Sequence, residues 1–187
     1  MDIGQEAERL SRITEDLLRL TRLDSGVLEP PVVVDVLPVL EQVMRMMSLI
    51  AQEKGVDLTY DAAEGCTVLA TKDEIHQVIY NLTDNAVKYS SAGGFAQVSL
   101  GAEGGQVVLS VADNGAGIPE ADLPRIFERF YRVDKARSRA AGGTGLGLSI
   151  VSATVKKRGG RVTAANRPEG GAVFTVYWPR AEGGERA

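Results

Sequence analysis

The segment TKDEIHQVIYNLTDNAVKYS, residues 71–90, constrains the fold more than any other stretch. Thr71 and Glu74 have the spacing of a capping box, in which each side chain satisfies a backbone amide at the start of a helix. At about 100° per residue, Ile75, Val78, Ile79, Leu82 and Ala86 fall on one apolar face. The adjacent stripe carries Asn81, Asn85 and Lys88, extended toward the N-terminus by Glu74 and Gln77. Such a helix must bury its apolar face on another layer and hold carboxamides and a cation along the edge of that contact. His76, the only histidine, projects roughly 140° from Asn81 by the same geometry, so it is expected to point elsewhere, with no ligand or base partner on its face.

The layer that helix needs is written in short β-type runs. Val32–Val36, Val56–Tyr60, Thr67–Ala70, Ala96–Leu100, Gln106–Ala112, Arg161–Ala165 and Ala172–Trp178 predict strands. Glu103-Gly104-Gly105 reads as a hairpin turn, and Pro168-Glu169-Gly170-Gly171 joins the last two strands. Asp35 is placed to cap a helix running to about Lys54 and stopped by Gly55, and a further helix spans Leu146–Arg158. Hairpins mixed with helices predict an α+β fold: a two-layer sandwich of helices on a mixed, largely antiparallel sheet. Residues 2–25 stand apart. There Ile3, Leu10, Ile13, Leu17 and Leu20 recur at heptad-like spacings, so this amphipathic helix must lay its stripe on a partner helix or another chain. Ser25-Gly26 and Pro30-Pro31 mark the boundary after it.

Composition narrows function by exclusion. At 187 residues and 44% hydrophobic, the chain can build a packed core. Its apolar runs are short and interrupted by charge, which predicts neither a membrane span nor a secretory leader. One cysteine, Cys66, and one histidine supply neither an internal disulfide nor a closed zinc site, and the cytoplasm is the default compartment. A net charge of −4 argues against nucleic acid as a partner. The local cluster Arg125, Arg129, Arg132, Lys135, Arg137 and Arg139 is nevertheless basic and needs its own explanation.

Taken alone, Asn81 and Asn85 are better read as caps or core hydrogen-bond partners. Beside Lys88 they gain another reading, because carboxamide oxygens are hard ligands suited to Mg²⁺ and a lysine supplies a point charge for phosphate. In VADNGAGIP, Asp113 ends an apolar strand, with Gly115 and Gly117 where the chain turns. A plain turn accounts for Asp-Asn-Gly. Alternatively, a carboxylate buried at a strand end can accept from an adenine amine while the glycines admit the base to the backbone. GGTGLGLSIV brings Gly142, Gly143, Gly145 and Gly147 to a helix start, where amides can cradle phosphate or glycine can simply permit close packing. It lacks the Gly-Lys-Ser/Thr ending of a Walker loop and the leading strand of a dinucleotide fingerprint. Between the two, RIFERFYRVDKARSRAAGG reads as a mobile lid anchored by burial of Phe127 and Phe130, with Arg132 and Lys135 able to reach a triphosphate.

In this order, NLTDNAVKYS, DNGAGIP, RIFERFYRVD and GGTGLGLSIV resemble the N, G1, F and G2 boxes of sensor histidine kinases, whose catalytic domain has the Bergerat ATP-binding fold of the GHKL superfamily. The resemblance covers about residues 32–180, and AERLSRITEDLLRLTRLDSG is similar to the second helix of that family's dimerisation and histidine-phosphotransfer hairpin. It implies a partial hairpin over 1–28, an ATP-binding catalytic domain over 29–181 and a polar tail over 182–187. The implied cofactors are ATP and Mg²⁺, with Asn85 as metal ligand assisted by Asn81, Lys88 on phosphate and Tyr89 against adenine. Asp113 would bind the adenine amino group in a pocket shaped by Gly115, Gly117 and Ile118, while Arg132 would stabilise the γ-phosphate and Lys135 would belong to the same ATP site. Gly143, Thr144, Gly145, Leu146, Gly147 and Leu148 would hold phosphate at the lid-to-helix junction, and Thr175 would lie on the adenine side.

The gyrase, heat-shock and mismatch-repair ATPases of the same superfamily look similar but carry a glutamate four residues before the metal-binding asparagine. Here that position is Asn81, and an amide is no effective general base near neutral pH, so transfer to a positioned nucleophile is favoured over hydrolysis. The family's acceptor histidine belongs to the first hairpin helix, and His76 does not occupy an acceptor position. The resemblance therefore implies Mg-ATP-dependent phosphoryl transfer to a histidine outside this chain, for relay to a response-regulator aspartate, by a fragment not competent for autophosphorylation on its own. It implies as partners the histidine-bearing hairpin, a response regulator and a second copy in an intact homodimer, with the parent protein anchored in the bacterial cytoplasmic membrane. A stand-alone anti-sigma-type serine kinase and a nucleotide-sensing module without transfer activity are the alternatives.

Overall fold

The computed structural model describes residues 3–26, 29–133 and 143–182. A long helix, α1 (Ile3–Asp24), precedes β1 (Val32–Asp35), α2 (Val36–Glu53), β2 (Asp57–Ala62), β3 (Thr67–Ala70) and α3 (Lys72–Tyr89). Then come β4 (Phe95–Glu103), β5 (Gln106–Asp113), α4 (Gly147–Lys157), β6 (Arg161–Asn166) and β7 (Ala172–Pro179). The main sheet has the order β2-β4-β5-β7-β6, with β2–β4 parallel and the other pairs antiparallel. β1 and β3 pair antiparallel in a separate ribbon, a division the strand pattern alone does not reveal.

Local signals decide the element ends. Thr71 N donates to Glu74 Oε2 at 3.0 Å and Glu74 N donates to Thr71 Oγ1 at 3.2 Å, completing the capping box of α3. Leu37 N donates to Asp35 Oδ1 at 3.2 Å, so Asp35 caps α2. Gly104 and Gly105 both take positive φ, 56° and 76°, as a two-residue hairpin turn requires.

The period of two then builds the core. On β7, Ala172, Phe174, Val176 and Trp178 are buried, while the alternating Val173, Thr175 and Tyr177 are less so. Trp178, Val98, Leu109 and Val111 share one core with Ile75, Val78, Ile79 and Leu82 of α3 and with Leu40, Val43 and Met47 of α2. Each such side chain contributes about 1.5–3 kcal/mol by leaving water. The apolar face of residues 71–90 is thus consumed by the sheet, which leaves the amide stripe at its edge.

α1 departs from the expected single stripe. Leu20 is 2% exposed and packs with Leu146 and with Ile150 of α4. Leu10 and Leu17, at 57% and 41% exposed, are left uncovered. The C-terminal end of the stripe therefore belongs to this domain. Among the described residues no helix is long and apolar enough to cross a membrane.

Candidate functional site

A cleft of about 700 Å³ opens along α3, a volume suited to a nucleotide-sized ligand. Asn81, Asp84, Asn85, Lys88 and Tyr89 line its length. Asp113, Gly117, Ile118 and Ala172 form one end, and Arg132, Gly143, Thr144, Gly145, Gly147 and Leu148 line it as well. Segments far apart in sequence converge here because the sheet brings the end of β5 beside the start of β7, while α4 packs along α3.

At the first end Asp113 is 4% exposed, and its Oδ1 accepts from Gly115 N at 2.8 Å and from Ala172 N at 3.3 Å. Burial pushes this carboxyl above the usual carboxylate range, against the pull of those two amides and of Arg167. The surrounding backbone is too close for side chains. A Cβ on Gly115 would lie 2.3 Å from the Tyr89 carbonyl oxygen, and one on Gly171, where φ is 87°, would lie 2.0 Å from the Asp113 carbonyl oxygen. Asn166 clamps the next turn, accepting from Ile118 N at 2.7 Å and donating to Ile118 O at 2.6 Å.

Elsewhere along the cleft, side chains pair with one another. Lys88 Nζ meets Asp84 Oδ2 at 2.5 Å. Thr144 Oγ1 donates to Asp16 Oδ2 of α1 at 2.9 Å and accepts from Leu146 N at 3.2 Å. Phe130 N donates to Gly145 O at 2.9 Å, with Phe130 at φ 62°, so the aromatic segment is tied to the glycine loop. Asn81 rests against Gly147, where a Cβ would lie 3.4 Å from Asn81 Oδ1. Its Nδ2 is a buried donor with no acceptor among the described residues, and pairing such a donor is worth about 1–3 kcal/mol.

Several expectations need correction. Thr175 does not line the cleft: strand alternation turns it outward, where its hydroxyl meets that of Ser110 at 3.1 Å, and Ala172 and Phe174 line the cleft instead. Leu146 is fully buried against Leu20 and Ile150, outside the cleft lining. Gly115 shapes the Asp113 end from behind, through Asp113 and the Tyr89 carbonyl. Phe130 is 57% exposed and does not anchor by burial, whereas Phe127 packs edge-on against Phe174. Glu74 leaves the ligand stripe altogether, because Arg158 (2.7 Å) and Lys157 (3.0 Å) of the α4 end hold it.

His76 does not point away from the cleft. α1 brings Arg12, Glu15, Asp16 and Arg19 across that side of α3, so His76 becomes part of the cleft wall, its ring parallel to Tyr80 at 6.3 Å. The basic cluster also divides. Arg125 pairs with Glu128 and lies 4.4 Å over the Tyr131 ring, Arg129 pairs with Asp24 at 2.8 Å, and Arg132 lines the cleft. Lys135, Arg137, Arg139 and Gly142 lie outside the described residues. Ala172 and Asp16 were missed as site residues: the first acts through its backbone amide, and the second reads in sequence as one more charge between leucines.

Residues 70–182 match the family model described as histidine kinase-, DNA gyrase B- and HSP90-like ATPase, which is more than half of the chain. The chain belongs to this family. Within it, the signal transduction histidine-protein kinase BaeS of Escherichia coli is 35% identical over 175 residues, covering 93% of this chain and 38% of BaeS. The sensor-like histidine kinase SenX3 of Mycolicibacterium smegmatis is 37% identical over 175 residues, covering 93% of this chain and 46% of SenX3. The chain thus spans less than half the length of these relatives. Among solved structures, full-length ShkA in complex with AMPPNP superposes with a TM-score of 0.80 at 33% identity, covering 93% of this chain and 36% of that one. Histidine kinase AdeS of Acinetobacter baumannii gives a TM-score of 0.76 at 26% identity, covering 94% of this chain and 81% of that one. The expected α+β ATP-binding domain, preceded by a helix, is borne out.

Proposed function

We propose that this chain is the ATP-binding catalytic part of a sensor histidine kinase, donating the γ-phosphoryl group of ATP to a histidine that it does not itself contain. The observation that carries the reading is the convergence of the four motif segments on one cleft, with a buried carboxylate at one end and amides and cations elsewhere along it. Asp113 accepts from the adenine amine while Tyr89, Gly117 and Ile118 bound the base. Lys88 and Arg132 face the phosphates, and the amides from Gly143 to Leu148 close on them. Lys88 keeps donors to spare, since an ammonium has three and Asp84 engages one.

The donor set fits Mg²⁺. Asn85 and Asn81 offer hard carboxamide oxygens on one helix face, and the described residues hold no group of three or more acidic, histidine or cysteine side chains able to cage a metal. That is the pattern of an ion held largely by substrate phosphates and water. Bound there, it would neutralise charge that develops on the phosphoryl oxygens. In the transfer itself, an imidazole nitrogen forms a bond to the γ-phosphorus as the bond to the β–γ bridging oxygen breaks, and ADP leaves. Asn81, standing where a water-activating carboxylate would be needed, does not promote hydrolysis.

The division into a partial hairpin (1–28), catalytic domain (29–181) and tail (182–187) belongs to the same reading. So do a response regulator as onward acceptor, a homodimeric parent and its anchoring in the bacterial cytoplasmic membrane. The test is to mix the chain with γ-labelled ATP, Mg²⁺ and a separately supplied hairpin bearing the acceptor histidine. Acid-labile, base-stable label on the hairpin is the expected result. ATP binding with no transfer would favour a nucleotide-sensing module, and acid-stable label on a serine partner would favour a serine kinase.

A further inference from the structure

Among the described residues α1 meets the catalytic domain at Leu20 and Leu23, at Asp24 and at Asp16, and the last engages a hydroxyl of the proposed phosphate loop. Leu20 packs with Leu146 and Ile150 beside the glycine loop. Asp24 takes both carboxylate oxygens to Arg129 Nη2 at 2.8 Å. Between these and the open half of the helix, Asp16 Oδ2 accepts the Thr144 hydroxyl at 2.9 Å, inside the cleft. A hydroxyl has one proton to give. While Asp16 holds it, Thr144 cannot donate to a phosphate oxygen at the same loop.

We propose that Asp16 sets nucleotide affinity by competing with the polyphosphate for Thr144, so that docking of α1 and binding of ATP oppose each other. This rests on the reading of Thr144 to Leu148 as the phosphate-binding loop. Two forces act in the same direction. A polyphosphate at the loop needs the Thr144 proton, and it brings negative charge beside a carboxylate that burial has already made costly to keep ionised. Leu20, itself outside the cleft lining, supplies what holds the carboxylate there despite that cost, through its burial with Leu146 and Ile150. Arg12 and Arg19, which also line the cleft, act in the opposite sense by attracting phosphate. The hydroxyl contact assigns the net effect to competition.

Linkage makes the effect reciprocal: docking weakens ATP binding by the same factor by which bound ATP weakens docking, so a change that loosens docking recovers affinity up to that factor. The experiment uses the full 187-residue chain. Mg-ATP affinity is measured by calorimetry for the wild type, Asp16→Ala and Leu20→Ala, and amide hydrogen exchange of residues 17–24 is followed with and without Mg-ATP. Asp16→Ala removes the competing acceptor. Leu20→Ala loosens docking at a residue that does not itself line the cleft, and neither change reaches the main core.

The expected result is tighter binding by about fivefold or more in both variants, with faster exchange along residues 17–24 when Mg-ATP is added to the wild type. Weaker binding in Leu20→Ala would mean that docked α1 assists phosphate through Arg12 and Arg19, and would overturn the proposal. Unchanged affinity in both variants, with exchange unaffected by bound nucleotide, would overturn it while leaving the nucleotide site in place. Absence of binding in the wild type and both variants would remove the nucleotide reading, and this proposal with it. Binding that appears only in the variants would support both.

Discussion

Backbone meets backbone at the Asp113 end of the cleft, where Gly115 lies against the Tyr89 carbonyl and Gly171 against the Asp113 carbonyl, with no room for a Cβ at either. Around Lys88 and Thr144, by contrast, side chains are paired with one another: Lys88 with Asp84 and Thr144 with Asp16. In the proposed function, that difference lets one cleft serve two needs. A planar base is recognised by shape and by one fixed carboxylate, so rigidity costs nothing there. A polyphosphate that must arrive, react and leave is better met by groups that exchange one partner for another.

The largest effect that would break this contrast lies at Gly171. Gly171→Ala forces a Cβ to within 2.0 Å of the Asp113 carbonyl oxygen at φ 87°, so β7 must shift away from β5. A loss of about 3 kcal/mol or more in urea unfolding is expected, together with loss of ATP binding. A change below about 1 kcal/mol would show that the base end is not rigid.

A smaller effect sharpens the contrast through pH. Burial works against ionised Glu74, but hydrogen bonds from Arg158, Thr71 N and Lys157 outweigh it and hold its carboxyl below the usual range. Stability from Glu74 is therefore fully present above the usual glutamate value and is lost as pH falls through the lowered one. Asp113 has the opposite sign, since its raised value means stability is lost as pH rises through it. Glu74→Gln should flatten the acid limb of a stability-versus-pH curve while leaving Mg-ATP affinity near neutral pH within about twofold, or roughly 0.4 kcal/mol. An unchanged acid limb would show that the α3–α4 clamp contributes no linkage.

Much of this was legible in the sequence because several signals agreed. α3 has a capping box, an apolar face of helical period and an amide stripe, and each demands the same helix in the same orientation. The hairpin at Gly104-Gly105 was legible because its turn needs residues tolerant of positive φ. The separate β1–β3 ribbon was not, since strand pattern specifies faces and not partners. Thr175 was misplaced by one step of strand parity, which the buried Trp178 sets. Glu74 and Asn81 share a stripe, yet α4 covers the first and leaves the second at the cleft, a distinction made by tertiary packing. Asp16 lay in a helix whose leucines suggested a partner elsewhere, so nothing local marked it as part of the site.

Asn85 and Asp113 are proposed to serve one Mg-ATP site, and calorimetry with ATP in the presence and absence of Mg²⁺ is the direct test. Wild-type binding should depend on Mg²⁺. Asn85→Ala should weaken Mg-ATP binding by at least about thirtyfold, or roughly 2 kcal/mol, while His76→Ala, on the wall shared with α1, should stay within about twofold of wild type. Equal losses in the two variants, or wild-type binding indifferent to Mg²⁺, would contradict the account.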